Sequence, residues 1–134
     1  MKIVRSESLK LQESEDITKV RQAVRSWAVD LNFSLADQTK VVTAASELAR
    51  NTIDHGGGGL ARLEEVSDSE KKGLRLVFED SGPGIADLKL AQQDGYSSKS
   101  GLGLGLGGAK RLVNEFSIQS NPGLGTCVTV VKWL

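Results

Sequence analysis

The sequence lacks the features that mark several classes of protein. Its formal net charge is zero, so it has no basic excess of the kind that a nucleic-acid-binding surface needs, and we expect neither DNA nor RNA as a partner. It holds no apolar run long enough to cross a bilayer, and residues 1–8 contain no uninterrupted signal core. These absences predict a soluble cytoplasmic protein with no membrane partner.

Cysteine is almost absent as well. The single Cys127 cannot form an internal disulfide, and its place in a strand-like run predicts a buried structural thiol. What the chain does contain, 39% hydrophobic and 25% charged residues, is the composition of a globular protein. Its 134 residues suffice for one core. We therefore expect a single domain over residues 1–134.

Hydrophobic periodicity predicts an opening strand and then two long helices. Residues 2–11 alternate imperfectly, as an edge strand would. Apolar residues then recur at helical spacing after Ser14, the expected N-cap of the first helix. Ser34, with Asp37 three positions later, is typical of a capping box and predicts a second helix that runs to about Asp54.

The second helix carries a polar pair at the border of its apolar face. Projected at about 100° per residue, Glu47 and Asn51 lie beside one another just outside the apolar arc. That position turns a carboxylate and an amide toward the wall of a pocket. A solvated Glu–Asn pair, four residues apart, is the alternative that helix geometry leaves open.

Two hairpins are predicted after the run Gly56–Gly59, which ends the second helix. A short helix is expected at 86–94, and another, from Ala109 to about Phe116, precedes the second hairpin. The four strands are predicted at residues 60–66, 74–79, 117–121 and 126–134.

Two glycine-containing turns are candidates for ligand binding. Asp80 lies at the end of a predicted strand, in a turn where Gly82 and Gly84 permit a sharp bend. Ordinary turns have the same composition. Residues 101–108 alternate glycine with leucine and lead into a helix. Peptide N–H groups in such a loop can approach a phosphate closely, and the positive end of the helix follows; an ordinary turn is again the alternative.

The order of these elements resembles the GHKL, or Bergerat-fold, ATP-binding domain, and the resemblance covers nearly the whole chain. It implies an α/β two-layer sandwich, in which a mixed, mostly antiparallel sheet is covered on one face by helices and the nucleotide lies among the helices. The motifs that carry the resemblance are Glu47-x-x-x-Asn51, Asp80-x-Gly82-x-Gly84, the glycine lid at 101–107, and Gly125-Thr126 at the entry to a strand.

The resemblance also implies a role for each residue, with ATP and Mg²⁺ as cofactors. Asn51 would bind the Mg²⁺ that bridges the phosphates, and Glu47 would be the base that activates or orients the acceptor. Asp80 would accept a hydrogen bond from the adenine amino group. The remaining assignments are Gly82 and Gly84 close to the base, Thr126 on the adenine side, Gly101, Leu102, Gly103, Leu104 and Gly105 over the phosphates, and Lys99 at the γ-phosphate, where a solvated lysine is the alternative.

Within that superfamily, the sequence is similar to the RsbT-type switch kinases of the bacterial anti-sigma and stress-response group. The resemblance implies a kinase that phosphorylates a serine or threonine on a STAS-domain antagonist and is then free to activate an output protein, often a PP2C-type phosphatase. The run Gly56–Gly59 departs from the family pattern. The similar stretches include residues 46–51, 72–74, 79–85, 94–97, 110–112 and 132–133.

Three other functions are compatible with the same domain. An anti-sigma factor with serine kinase activity would bind a sigma factor directly, and its partner surface has no readable motif. A histidine kinase needs a separate phosphoacceptor, whereas the single histidine, His55, follows the Asn51 helix. A catalytically silent binding module is disfavoured because Glu47 and Asn51 are both present.

Overall fold

Five strands and three helices make up the part of the chain that the computed structural model describes, residues 1–82 and 106–134. In chain order they are β1 (Lys2–Leu11), α1 (Ser14–Asp30), α2 (Leu35–Asp54), β2 (Gly59–Asp68), β3 (Lys71–Asp80), α3 (Leu106–Leu112), β4 (Glu115–Asn121) and β5 (Gly125–Trp133). The short helix predicted at 86–94 lies outside the described residues.

The strands form one sheet in the order β1-β2-β3-β5-β4, and each neighbouring pair is antiparallel. β3 is therefore the central strand. Its last residue, Asp80, pairs with Gly59 at the start of β2, so the loop that follows α2 enters the sheet beside the end of β3. The predicted α/β sandwich is confirmed.

One face of the sheet forms the core with the helices. Strand alternation sends Leu74, Leu76 and Phe78 of β3 to this face, where each is almost completely buried. Helical spacing turns Val41 and Leu48 of α2 toward them. Each such side chain contributes about 1.5–3 kcal/mol through burial. Among the described residues, no helix has both the length and the apolar character that a membrane span requires.

Helix α2 is fixed at its first turn by two polar contacts. The Ser34 hydroxyl oxygen accepts a hydrogen bond from the N–H of Asp37 at 3.2 Å, as the sequence predicts. The Asp37 carboxylate in turn lies 3.4 Å from the ammonium of Lys132, a β5 residue with only 9% of its surface exposed. This ion pair ties the beginning of α2 to the sheet.

The predicted N-cap of α1 and the predicted end of α3 are wrong, by one residue and by four residues. The N-cap of α1 is Glu13, and Ser14 is already helical, because the Asp16 carboxylate accepts the N–H groups of Gln12 and Glu13, each at 3.0 Å. Helix α3 ends at Leu112 rather than near Phe116. There the N–H of Asn114 donates to the carbonyl oxygen of Val131 at 2.9 Å, and the chain turns into β4.

Cys127 is partly exposed, so the prediction of a buried thiol is wrong. It lies opposite Glu79 in the β3–β5 ladder, on the face of the sheet that is turned away from the helices. Partial burial is the main cause that raises the pKa of the Cys127 thiol, and the nearby Glu79 carboxylate adds to it.

The stability that Asp16 contributes is expected to depend on pH. Hydrogen bonds from the backbone N–H groups of Gln12 and Glu13 hold the pKa of Asp16 below its ordinary value of 3.8. A carboxyl group with a lowered folded-state pKa stabilises the native state above its unfolded pKa, and this contribution is lost as the pH falls through the folded value. We expect Asp16→Asn to lower the melting temperature by a few degrees near neutral pH and to have little effect well below pH 3.8.

Melting curves at both pH values test this, with the exposed first-turn change Glu15→Gln as the control. A destabilisation of Asp16→Asn that is the same at both pH values would show that the ionised carboxylate is not its source.

Candidate functional site

Asp80, at the end of β3, is held by backbone groups from two directions. Its Oδ1 atom accepts the N–H of Gly82 at 2.9 Å and the N–H of Thr126 at 3.2 Å. The first bond closes the turn after β3, and the second crosses to β5. Because both donors bind the same oxygen, the carboxylate is restrained and neither of these two bonds uses Oδ2. The site thus begins with an oriented acceptor at the edge of the sheet.

Thr126 supports Asp80 through its backbone. Its hydroxyl oxygen lies 2.8 Å from that of Ser120, which faces it in the β4–β5 ladder. The adjacent Gly125 has a φ of +104°, and a side chain there would overlap the carbonyl oxygen of Asp80. The structure therefore places Thr126 beside Asp80, with its side chain tied to β4.

Glu47 and Asn51 lie one turn apart on α2, at the border of its buried face. Both are partly buried, between the fully buried Leu48 and the exposed Asp54, which confirms their predicted position on the helix. Glu47 is not simply solvated, because its Oε1 atom lies 3.3 Å from a guanidinium nitrogen of Arg50. The structure shows that the carboxylate has an orienting cation three residues later on the same helix.

The end of α2 brings this pair to the same end of the molecule as Asp80. The carbonyl oxygen of Asn51 accepts the N–H of His55 at 3.0 Å and that of Gly56 at 3.3 Å, which closes the last turn. Gly56 then packs directly against the side chain of Asp80. The helix that carries Asn51 and the strand that carries Asp80 therefore meet through a glycine.

Seven predicted site residues lie outside the described residues. Helix α3 begins directly after them, and its Leu106 and Ala109 are buried in the core against α2. Helix α3 thus packs against the same helix that carries Glu47 and Asn51. The seven residues are Gly84, Lys99, Gly101, Leu102, Gly103, Leu104 and Gly105.

This geometry can be set beside known proteins. A profile of the histidine kinase-like ATPase domain matches residues 11–132, which extend from the last residue of β1 to the end of the sheet. The chain belongs to this family. The match shows that the Asp80 cluster and the Glu47–Asn51 pair both lie within a histidine kinase-like ATPase domain.

Two relatives are similar along most of their length. The sequence is 47% identical over 119 residues to the serine/threonine-protein kinase RsbT of Bacillus subtilis (strain 168), a match that covers 89% of this chain and 90% of that protein. It is 33% identical over 132 residues to the anti-sigma F factor of Shouchella clausii (strain KSM-K16), which covers 92% of this chain and 87% of the relative.

Two solved structures share the fold. The RsbU and RsbW domains of Rv1364c from Mycobacterium tuberculosis align over 96% of this chain with a TM-score of 0.62 and 18% identity, and this chain spans 32% of that longer one. A chain of the SiaB–SiaC complex from Pseudomonas aeruginosa aligns over 98% of this chain and 91% of its own length, with a TM-score of 0.54 and 14% identity.

Three residues of this histidine kinase-like ATPase domain that the sequence did not assign to the site support the predicted ones. Arg50 pairs with Glu47, and its spacing of three residues on a helix was a readable signal. Ser120 holds the side chain of Thr126, and Gly56 packs on Asp80. Neither of these contacts leaves a local pattern in the sequence, because each joins residues from different elements.

The orientation of Asp80 predicts that it contacts a part of the nucleotide that ATP and adenosine share. We expect Asp80→Asn to lower the affinities for ATP and for adenosine by a similar factor, at least tenfold, because the amide replaces a charged acceptor. Titration calorimetry with each ligand measures the two factors. Glu79→Gln, one residue earlier and on the opposite face of β3, is the matched control. Retained adenosine affinity in Asp80→Asn would contradict a contact with the base.

Proposed function

We propose that this chain is an ATP- and Mg²⁺-dependent protein serine/threonine kinase of a bacterial partner-switching pathway. The observation that carries the proposal is the meeting of the Asn51 helix with the oriented Asp80 carboxylate, in a chain that is 47% identical to a serine/threonine-protein kinase. Residues 1–134 form one kinase domain, and it acts in the cytoplasm.

Asp80 selects adenine. Its Oδ1 atom is occupied by two backbone donors, so Oδ2 is the oxygen that accepts the hydrogen bond of the adenine 6-amino group. An ionised carboxylate has no proton to donate, and the 6-oxo group of guanine would therefore face it with a second acceptor. The backbone at Gly82 and Gly84 passes close to the base.

The phosphates are bound between α2 and the glycine loop. The Asn51 side-chain oxygen would hold Mg²⁺, and an oxygen donor fits this ion because Mg²⁺ prefers oxygen ligands and keeps several waters. When bound, Mg²⁺ supplies neutralisation of the phosphate charge. Within residues 1–82 and 106–134, no three His, Cys, Asp or Glu side chains form a metal-binding group. The peptide groups of the lid, Gly101 to Gly105, and Lys99 contact the phosphates.

Glu47 acts on the acceptor hydroxyl. As the hydroxyl oxygen of the substrate serine or threonine forms a bond to the γ-phosphorus, its proton passes to the Glu47 carboxylate, the bond to the β-phosphate oxygen breaks and ADP leaves. The Arg50 guanidinium, 3.3 Å from the carboxylate, limits the orientations that Glu47 can adopt. Both side chains are partly exposed, so this ion pair contributes little to stability and acts mainly on orientation.

The substrate is a STAS-domain antagonist protein, and the kinase released from it activates an output protein such as a PP2C-type phosphatase. The similarity to RsbT over most of both chains supports this assignment. The 33% identity to an anti-sigma F factor favours one alternative, in which the same kinase domain binds a sigma factor directly.

Two substitutions on α2 separate metal binding from chemistry. Asn51→Ala is expected to abolish phosphate transfer without unfolding the chain, because the side chain lies at the border of the core. Glu47→Ala is expected to lower turnover by about 100-fold or more while ATP affinity changes by less than about tenfold, since a base acts mainly in the transition state. Single-turnover kinetics measures the rate of phosphate transfer, calorimetry measures the ATP affinity, and melting curves measure the stability of each variant.

Asp54→Asn, an exposed change on the last turn of the same helix, serves as the control for these two variants. Equal losses of ATP affinity and turnover in Glu47→Ala would assign Glu47 to binding rather than to chemistry.

Partner switching requires that the kinase bind the antagonist less tightly once it is phosphorylated. A ligand shifts such an equilibrium only through differential affinity, and a tenfold drop corresponds to about 1.4 kcal/mol. We expect at least this drop, because a phosphoserine dianion would face the Glu47 carboxylate. The test titrates STAS proteins from the same genome, unmodified and phosphorylated, against the kinase, with Asn51→Ala as the transfer-dead control.

Equal affinities for the two forms would eliminate the switch even where kinase activity is confirmed. Tight binding of a sigma factor, with no STAS protein bound, would instead support the anti-sigma function.

A further inference from the structure

Gly56, the first residue of the glycine run that follows α2, packs against Asp80 of the candidate site. A Cβ atom at Gly56 would overlap the carboxyl carbon of Asp80 and lie 2.5 Å from its Oδ2 atom. Gly82 closes the contact from the turn after β3, since a Cβ atom there would lie 2.7 Å from the Cα atom of Gly56. The Asp80 side chain is thus packed against Gly56, while its Oδ1 atom accepts the N–H groups of Gly82 and Thr126.

The loop at residues 56–59 is held close to Asp80 by contacts with β3 and with α2. Its far end, Gly59, is paired with Asp80 in the β2–β3 ladder, and a Cβ atom at Gly59 would overlap the β3 backbone. The N–H of Gly58 donates to the carbonyl oxygen of Thr52 at 3.0 Å, which holds the loop to the helix. A methyl group added at Gly56 would overlap the Cβ atom of Asp80 as well as its carboxyl carbon, so the whole Asp80 side chain must shift together with its carboxylate.

We propose that Gly56 is a positioning residue, which sets the direction of the Asp80 carboxylate and thereby the preference of the site for a 6-aminopurine over a 6-oxopurine. The inference rests on the proposed function, because it requires Asp80 to face the base. The two amides hold Oδ1, and Gly56 packs against the Cβ atom, the carboxyl carbon and Oδ2, so both sets of contacts restrict the side chain. Direction matters because a hydrogen bond weakens steeply when donor and acceptor are misaligned.

The test compares adenosine with inosine, which differ at the 6-position, by calorimetry on the unsubstituted protein and on Gly56→Ala. The unsubstituted protein is expected to prefer adenosine by at least tenfold. In Gly56→Ala, the preference is expected to fall to about threefold or less, because the displaced carboxylate no longer meets the amino group. A merely structural effect would lower the affinities for both nucleosides by the same factor and leave the preference for adenosine unchanged. That result would overturn the proposal.

Gly57→Asn is the matched control. Gly57 is the next residue in the same loop, and a Cβ atom there would have no atom of the described residues within 4 Å. Its φ of +72° is one that asparagine tolerates. The adenosine preference is expected to survive this change. Its loss in Gly57→Asn as well would assign the effect to the loop in general and overturn the role of Gly56.

A stability cycle tests the contact without any ligand. Gly56→Ala is expected to lower the melting temperature strongly in the unsubstituted chain and only slightly in an Asp80→Gly background, where the overlapping side chain is gone. Where Gly56→Ala alone fails to fold, recovery of folding in the double variant supports the contact. Equal destabilisation in both backgrounds would overturn it.

The two proposals fail in different ways. Equal affinity of the unsubstituted protein for adenosine and inosine would overturn the adenine site, and the role of Gly56 with it. A clear preference that persists unchanged in Gly56→Ala would overturn the role of Gly56 alone and leave the proposed kinase intact.

Discussion

The position of β3 at the centre of the sheet is the constraint on which the rest of the structure depends. Because β3 pairs with β2 on one side and β5 on the other, its last residue, Asp80, lies between Gly59 and the start of β5. The interior of the same strand supplies three large buried side chains, Leu74, Leu76 and Phe78. The strand therefore contributes to the core along most of its length and to the candidate site at its end, so the orientation of the site is determined by the packing of the core.

Helix α2 is fixed to the sheet at both of its ends. The positions of Glu47 and Asn51, at the polar border of the helix, are therefore well defined. At its first turn, Asp37 pairs with the largely buried Lys132, and at its end, Gly56 packs on Asp80. Desolvation of the Lys132 ammonium offsets part of the attraction in this partly buried ion pair, so the pair contributes more to a defined arrangement than to net stability. Glu47 and Asn51 thus lie on a rigid element, as precise positioning of reacting groups requires.

Features with a local cause could be predicted from the sequence, and features produced by packing between elements could not. The Ser34 cap and the border position of Glu47 depend on residues within one or two turns, and both were predicted correctly. The end of α3 was not, because Asn114 leaves the helix to pair with a strand far along the chain. The contact of Gly56 with Asp80 likewise depends on how a helix end meets a strand, whereas the sequence shows only a run of glycines.

The bond from the N–H of Thr126 to Asp80 means that part of the site has no side-chain signature. Every amino acid except proline supplies the same backbone donor, so position 126 can change chemically while the carboxylate keeps its support. Relatives that differ at this position can therefore share the same oriented acceptor. In such a site, the order of strands in the sheet is part of the binding function, because it places the backbone donor beside the carboxylate. Comparison of side chains alone therefore underestimates how much of that function two distant sequences share.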